Sequence, residues 1–390
     1  MNLKDIRVVK KDGTKEEFNV QKVIVAVNKS ADRALIKFSE EDLHFICQFV
    51  EEQAEKMGKK QIPIKEMHNI VEGALEKVNP VVAKSYRDYR NYKQDFVHML
   101  DEVYLKSQSI MYIGDKENSN TDSALVSTKR SLIFNELNKE LYKKFFLTVE
   151  ELQAIREGYI YIHDMSARRD TMNCCLFDVQ SVLTGGFEMG NLWYNEPKTL
   201  DTAFDVIGDI VLSAASQQYG GFTIPSVDEI LEPYAAKSHK RHMEKYRELG
   251  LSEEKAQEVA WKDLEKEMEQ GFQGWEYKFN SVSSSRGDYP FITMTSGTNI
   301  SKYGKLITKT LLEVRRKGQG KPGHKKPVLF PKIVFLYDEN LHGPGKEGED
   351  LFEAGIECSR KTMYPDWLSL SGEGYVASIY KKYGKVISPM

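Results

Sequence analysis

Beyond residue 158 the sequence alternates between two periods, and that alternation limits the fold more than any other feature. Short apolar runs read as strands: Gly158-Tyr-Ile-Tyr-Ile162, Cys174-Cys-Leu-Phe-Asp-Val179, Pro290-Phe-Ile-Thr-Met294 and Lys332-Ile-Val-Phe-Leu336. Between and after them lie stretches of helical period, around 202–217, from 226 to 270, over 299–317 and over 349–362. Strands alternating with helices predict an α/β sheet or barrel. No apolar run approaches the roughly 18 residues of a membrane span. The start, MNLKDIRVVKKDG, lacks the apolar stretch of a secretory signal.

Residues 1–99 read differently, as a short β ribbon followed by helices. Asp12-Gly13 lies between strand-like runs, a strong hairpin signal. Asn19 then caps a helix carrying Val20, Val23, Ile24 and Val27, with Phe18 and Val23 placed to form a hydrophobic staple. Ser39 caps a second helix with Asp42 three residues on, a third follows Pro63, and a fourth follows Pro80. Residues 114–124 are polar and turn-forming. The expected organisation is a domain over 1–99, a linker over 100–125 and an α/β domain over 126–390.

Charge narrows the function. The chain carries 55 Lys and Arg against 58 Asp and Glu, and residues 1–99 hold 18 against 16. That balance excludes a protein that grips nucleic acid by bulk charge, and the mildly basic first segment suits a small anion better than a duplex. Four cysteines make no disulfide framework, which points to a reducing, cytoplasmic compartment. No Cys-x-x-Cys occurs, so no zinc ribbon and no metal site are expected.

The sharpest local pattern is Val8-Val9-Lys10-Lys11-Asp12-Gly13, then Glu16 and Phe18-Asn19-Val20-Gln21-Lys22-Val23. A turn presents Lys10 and Lys11, and Lys22 sits in the first turn of the next helix. Ammonium groups and a helix N-terminus together favour a polyphosphate, although a solvated basic hairpin has the same charges. This segment resembles the ATP-cone, the regulatory nucleotide-binding module of ribonucleotide reductases. Lys11 stands where that module usually has Arg, keeping the charge and losing the guanidinium fork. The resemblance implies Val8, Lys10, Lys11, Glu16, Asn19, Lys22 and His68 as contacts to ATP or dATP acting as allosteric effectors.

The second pattern is Asn173-Cys174-Cys175-Leu176-Phe177-Asp178. Neighbouring strand residues face opposite ways, so one cysteine at most can face a barrel interior. Two buried small hydrophobes would be the ordinary reading. The segments Tyr159–Asp164, Met172–Asp178, Gly185–Asn191, Tyr219–Ile224, Val328–Phe335 and Glu357–Asp366 resemble, in order, anaerobic (class III) ribonucleoside-triphosphate reductases. The resemblance implies an N-terminal part of a ten-stranded α/β barrel. It implies conversion of ribonucleoside triphosphates to deoxyribonucleoside triphosphates by glycyl-radical chemistry. It assigns Cys174 to the active site, where it helps reduce the substrate radical, and leaves Cys175 to pack. It also implies formate as reductant, a radical-SAM activase as partner and a homodimer at full length, with no nucleic acid and no membrane bound directly.

The family's thiyl-radical cysteine follows a Pro-Met-Gly pattern, and here Ser388-Pro389-Met390 closes the sequence. The reading is of a chain cut inside a domain, with the zinc site and glycyl-radical segment in a missing C-terminal part and no catalysis expected from this chain alone. The alternative is an ATP- or dATP-binding regulatory protein without catalysis. Three weaker motifs carry less. Gly318-x-Gly320-x-x-Gly323 follows a helix and precedes a strand, the reverse of the dinucleotide order, so it reads as a loop. His239-x-x-His242 reads as a solvated helix face, and Cys358 as core.

Overall fold

The computed structural model describes residues 3–10, 12–112, 124–168, 172–281, 287, 289–384 and 386. Two compact units, Met1–Tyr104 and Leu105–Met390, each have their own core.

In the first unit the Asp12-Gly13 turn folds β1 (Arg7–Val9) against β2 (Lys15–Glu17), with Val8 opposite Glu16. Gly13 takes φ +82°, which an L side chain would resist. The other edge of β1 pairs in parallel with β3 (Gln61–Pro63), Val8 beside Ile62. Four helices cover this ribbon. α1 (Val20–Arg33) begins at Asn19, whose side chain accepts the Gln21 N–H, and α2 (Glu40–Lys56) begins at a reciprocal Ser39/Asp42 capping box. α3 (Ile64–Val78) follows Pro63. α4 (Pro80–Tyr112) carries Pro80 at its first position, where the missing N–H costs nothing. Val27, Ile46, Val50, Ile62, Leu75 and Val82 lie in the core, and Phe18 packs onto the same cluster, which includes Val23. α4 runs unbroken to Tyr112, so residues 100–112 are helix, and the first compact unit closes at Tyr104. Residues 113–123, part of the expected linker, lie outside the described residues.

The second unit opens with α5 (Val126–Phe146) and α6 (Val149–Arg156). The run 158–162 is not a strand. Gly158 at φ +81° ends α6, the Tyr159 N–H turns back to Ala154 O, and Tyr159 and Tyr161 stand 78% and 84% exposed. The expected strand 174–179 shrinks to β4 (Cys175–Leu176), because Asp178 caps α7 (Val179–Leu183) by accepting the Ser181 N–H. A hairpin, β5 (Phe187–Met189) with β6 (Leu192–Tyr194), precedes α8 (Leu200–Ser216). There follow β7 (Phe222–Ile224), α9 (Val227–Glu248), α10 (Glu253–Phe279), β8 (Ile292–Ser296), α11 (Lys302–Lys317) and β9 (Lys332–Tyr337). The last elements are α12 (Glu339–His342), α13 (Glu349–Thr362), β10 (Asp366–Ser369) and α14 (Tyr375–Tyr383).

Strands β4, β7, β8, β9 and β10 form one parallel sheet, side by side in that order. Parallel crossovers are right-handed almost without exception. With the strands added in one direction, every crossover helix therefore falls on the same face. That is the winding of a barrel, not of a doubly wound sheet, whose order reverses. The helix-side face carries Phe222, Ile224, Ile292, Met294, Ile333 and Phe335, all in the main core. α8 and α10 meet it through Phe204, Phe272 and Trp275, with the Trp275 indole N–H donating to Phe204 O at 2.8 Å. Gly271 permits that approach: a Cβ there would lie 2.2 Å from the Phe204 ring.

Candidate functional site

In the first unit three charged side chains converge. Lys10 ends the β1 edge, Glu16 is the middle residue of β2, and Lys22 is in the first turn of α1. The Glu16 carboxylate takes both ammonium groups, pairing with Lys10 and lying 2.6 Å from Lys22 Nζ. The hydrogen bond from Lys10, then that from Lys22, holds the Glu16 carboxyl below its ordinary range. A cleft of about 630 Å³ beside them is bounded by Leu3, Glu16, Phe18, Asn19, Lys22 and Glu51. Val8 packs half-buried onto the core beneath. His68 is tied to α4 instead: its Nδ1 shares a 2.7 Å hydrogen bond with the Tyr86 hydroxyl, which burial pushes up to about 12. Lys11 lies outside the described residues.

In the second unit the register decides which cysteine faces where. Cys175 pairs with Phe222, which pairs with Ile292, and this row points into the helix-side core. Leu176, Thr223 and Thr293 form the next row, on the opposite face. Strand alternation puts Cys174 on that opposite face with Leu176. Cys174 Sγ accepts the Gly221 N–H at 3.2 Å. The Cys175 thiol donates to Gln218 Oε1 at 2.9 Å, and burial, then the neighbouring Cys174, push it up. The sequence alone offered no sign of Gln218 as a partner of this pair. The only signal nearby was Gly220-Gly221 just before a strand.

At the carboxyl ends of β7 and β8 a cleft of about 380 Å³ is lined by Asp178, Gln180, Ser226, Glu229, Thr298 and Tyr380. Asp228 lies beside it, fully buried, its Oδ2 accepting N–H groups of Gly297 and Asn299 at 2.9 and 3.1 Å. Desolvation raises its carboxyl to about 6, against the pull of those two bonds.

His239 and His242 do not form the solvated face expected of them. α10 folds back over α9 and α11 lies alongside, so His239 is buried between Trp261 and Tyr303, 2.9 Å from the Tyr303 hydroxyl, and His242 pairs with Glu267 at 2.8 Å. Among the described residues no group of three or more His, Cys, Asp or Glu side chains could hold a metal ion. Cys358 is buried, as expected, and Gly318–Gly323 is a loop whose ends pair through Gln319 and Lys326.

Residues 117–389 match the family model described as anaerobic ribonucleoside-triphosphate reductase. The chain belongs to that family. Residues 6–95 match the ATP cone domain. The anaerobic ribonucleoside-triphosphate reductase of Haemophilus influenzae is 32% identical over 370 residues, covering 93% of this chain and 52% of that protein. Its counterpart in Escherichia coli K12 is 30% identical over 373 residues, covering 93% and 51%. The chain thus spans about half the length of these curated relatives. Among solved structures, the anaerobic ribonucleotide reductase from Thermotoga maritima in complex with dATP and CTP aligns at 16% identity and a TM-score of 0.46, over 72% of this chain and 49% of that one. The match to the reductase family takes in the whole parallel sheet and the Cys174-Cys175 pair. Among the described residues no helix is long and apolar enough to cross a membrane.

Proposed function

We propose that this chain serves the reduction of ribonucleoside triphosphates to deoxyribonucleoside triphosphates, under allosteric control by ATP and dATP bound at its first unit. The observation that carries the reading is the position of Cys174. It lies on the face of β4 opposite the main core, with its sulfur engaged by a backbone N–H, while Cys175 is turned toward that core. The reaction exchanges the ribose 2′-hydroxyl for hydrogen. Water leaves, and formate supplies the two electrons, ending as carbon dioxide. Cys174 delivers reducing equivalents to the sugar, and a closed barrel interior keeps water and oxygen from the intermediates. The glycyl radical supplies the oxidising equivalent that starts the cycle. The described residues offer no ligand set for zinc, so no step is assigned to it. Lys10, Lys22 and the N-terminus of α1 are the effector triphosphate contacts, with Val8, Lys11, Glu16, Asn19 and His68 in the same proposal. A radical-SAM activase, a homodimer and a cytoplasmic setting complete the reading.

The test is a pair of single variants in the whole reductase, assayed without oxygen. Cys174→Ser should abolish deoxyribonucleotide formation and leave effector binding intact, and Cys175→Ser should be mild. An active Cys174→Ser enzyme would overturn the assignment.

A further inference from the structure

We infer that Gln218 is a positioning residue for the Cys174 sulfur, acting through the Gly220-Gly221 backbone. The inference rests on the proposed role of Cys174. Gln218 is 3% exposed, yet its carboxamide is fully engaged. Oε1 accepts the Cys175 thiol at 2.9 Å, and Nε2 donates to Gly221 O at 2.9 Å and faces Gly220 O at 3.4 Å. The carboxamide cannot be turned over, because its oxygen would then face two carbonyls. One side chain therefore fixes both the turn of Cys175 toward the helix-side core and the path of residues 220–221.

That backbone in turn defines where the Cys174 sulfur sits. The Gly221 N–H points at Sγ, and Gly221 O accepts the Cys175 N–H at 3.0 Å. Tyr219 N–H donates to Met172 O at 2.9 Å, and Gly220 N–H donates to Asn173 O. Gly220 leaves no free space: a Cβ there would lie 2.8 Å from both Cys174 Sγ and Asn173 O. The sulfur is thus held between a donor on one side and a backbone wall on the other. Misplacement of a reacting group by about 1 Å can cost on the order of 100-fold in rate. A loosened Gly221 should therefore appear in the chemical step and not in substrate binding.

The experiment compares Gln218→Met and Gln218→Glu with Cys174→Ser in the whole, radical-loaded reductase. Methionine keeps the length and loses both hydrogen bonds. We expect kcat to fall at least tenfold with KM and effector affinity unchanged, alongside the modest drop in melting temperature that an unpaired Gly221 O brings. Glutamate keeps the acceptor for Cys175 but donates to Gly221 O only when protonated. Its kcat relative to wild type should therefore recover as pH falls from 8 to 6. A wild-type kcat for Gln218→Met, or a pH-independent ratio for Gln218→Glu, overturns the inference while Cys174→Ser is dead. An active Cys174→Ser instead overturns the reading beneath it.

Discussion

Arg315 Nε donates to Glu276 Oε1 over 2.9 Å with the guanidinium fully enclosed and the carboxylate 4% exposed. The pair joins α11 to α10 beneath the start of β9, where Arg315 also donates to Pro331 O and Gln319 donates to the second Glu276 oxygen at 2.6 Å. Arg315 Nη1 has no hydrogen-bond partner, so the guanidinium depends on Glu276 for its compensation. Removing one partner of a buried pair strands a charge and costs about 3–5 kcal/mol, whereas replacing both by apolar groups of like volume is often close to neutral. Glu276→Ala should therefore lower the urea midpoint steeply, and Arg315→Met with Glu276→Leu should recover most of the loss. Equal destabilisation by the single and double variants would show that the charge is not what the pair compensates.

Asp228 should give the second unit an unusual pH dependence. Its folded carboxyl is raised to about 6 from the ordinary 3.8 by burial. The folded state therefore holds the proton more tightly than the unfolded chain. The stability this group contributes is fully present below about pH 4 and is lost as pH rises through 6. The loss amounts to about 3 kcal/mol, taking 1.36 kcal/mol per tenfold shift in proton affinity. Asp228→Asn removes the ionisation and keeps an oxygen for the Gly297 and Asn299 N–H groups. The stability of Asp228→Asn relative to wild type should rise between pH 4 and 7, measured by denaturant melts at each pH. A constant difference would show that Asp228 does not titrate in this window.

Local chemistry explains which of these features were legible beforehand. Ser39 with Asp42, Asn19, and the prolines at 63 and 80 mark helix starts by satisfying or lacking backbone N–H groups, and all four helices begin where they say. The β8 and β9 runs are apolar on alternate residues or throughout, and both are strands. Residues 158–162 have the same alternation, but a strand also needs a partner, and the sequence does not say whether one is at hand. The burial of His239 and His242 is invisible in the sequence for a related reason: the charged face of α9 is covered by α10, whose Trp261 and Glu267 lie more than ten residues away in sequence. Gln218 joins Cys175 across 43 residues, a contact set by sheet register that no local motif encodes. The choice between Cys174 and Cys175 needed that register too, since alternation makes the two exclusive without saying which faces the helices.

The first unit should bind ATP and dATP chiefly through the triphosphate, since Lys10 and Lys22 stand together at the N-terminus of α1. Both lysines are engaged by Glu16, so a bound phosphate must share or replace that carboxylate. Losing two charge-assisted contacts should weaken binding at least about tenfold, and by the same factor for both nucleotides. Calorimetry of the 390-residue chain carrying Lys10→Ala and Lys22→Ala checks this. Undiminished binding would remove these lysines from the site, and loss of one nucleotide alone would place them at the sugar or base.

The two adjacent cysteines should differ in reactivity, and the difference should depend on pH. The thiolate is the nucleophile in alkylation. Burial pushes the Cys175 thiol up, Cys174 beside it adds to the rise, and the Gln218 hydrogen bond opposes it in part. Cys358 is raised by burial within the core, and Cys47 by burial and then by Glu51. Cys174 lies half-buried on the face away from the helix-side core. Iodoacetamide at pH 7.5 should therefore label Cys174 at least about tenfold faster than Cys175, read site by site by mass spectrometry. Raising the pH to 9 should narrow the gap, because a thiol held protonated gains the most thiolate there. Preferential labelling of Cys175 at pH 7.5 would mean that the strand is offset by one residue. Every residue now placed on the face of β4 opposite the main core would then belong to that core.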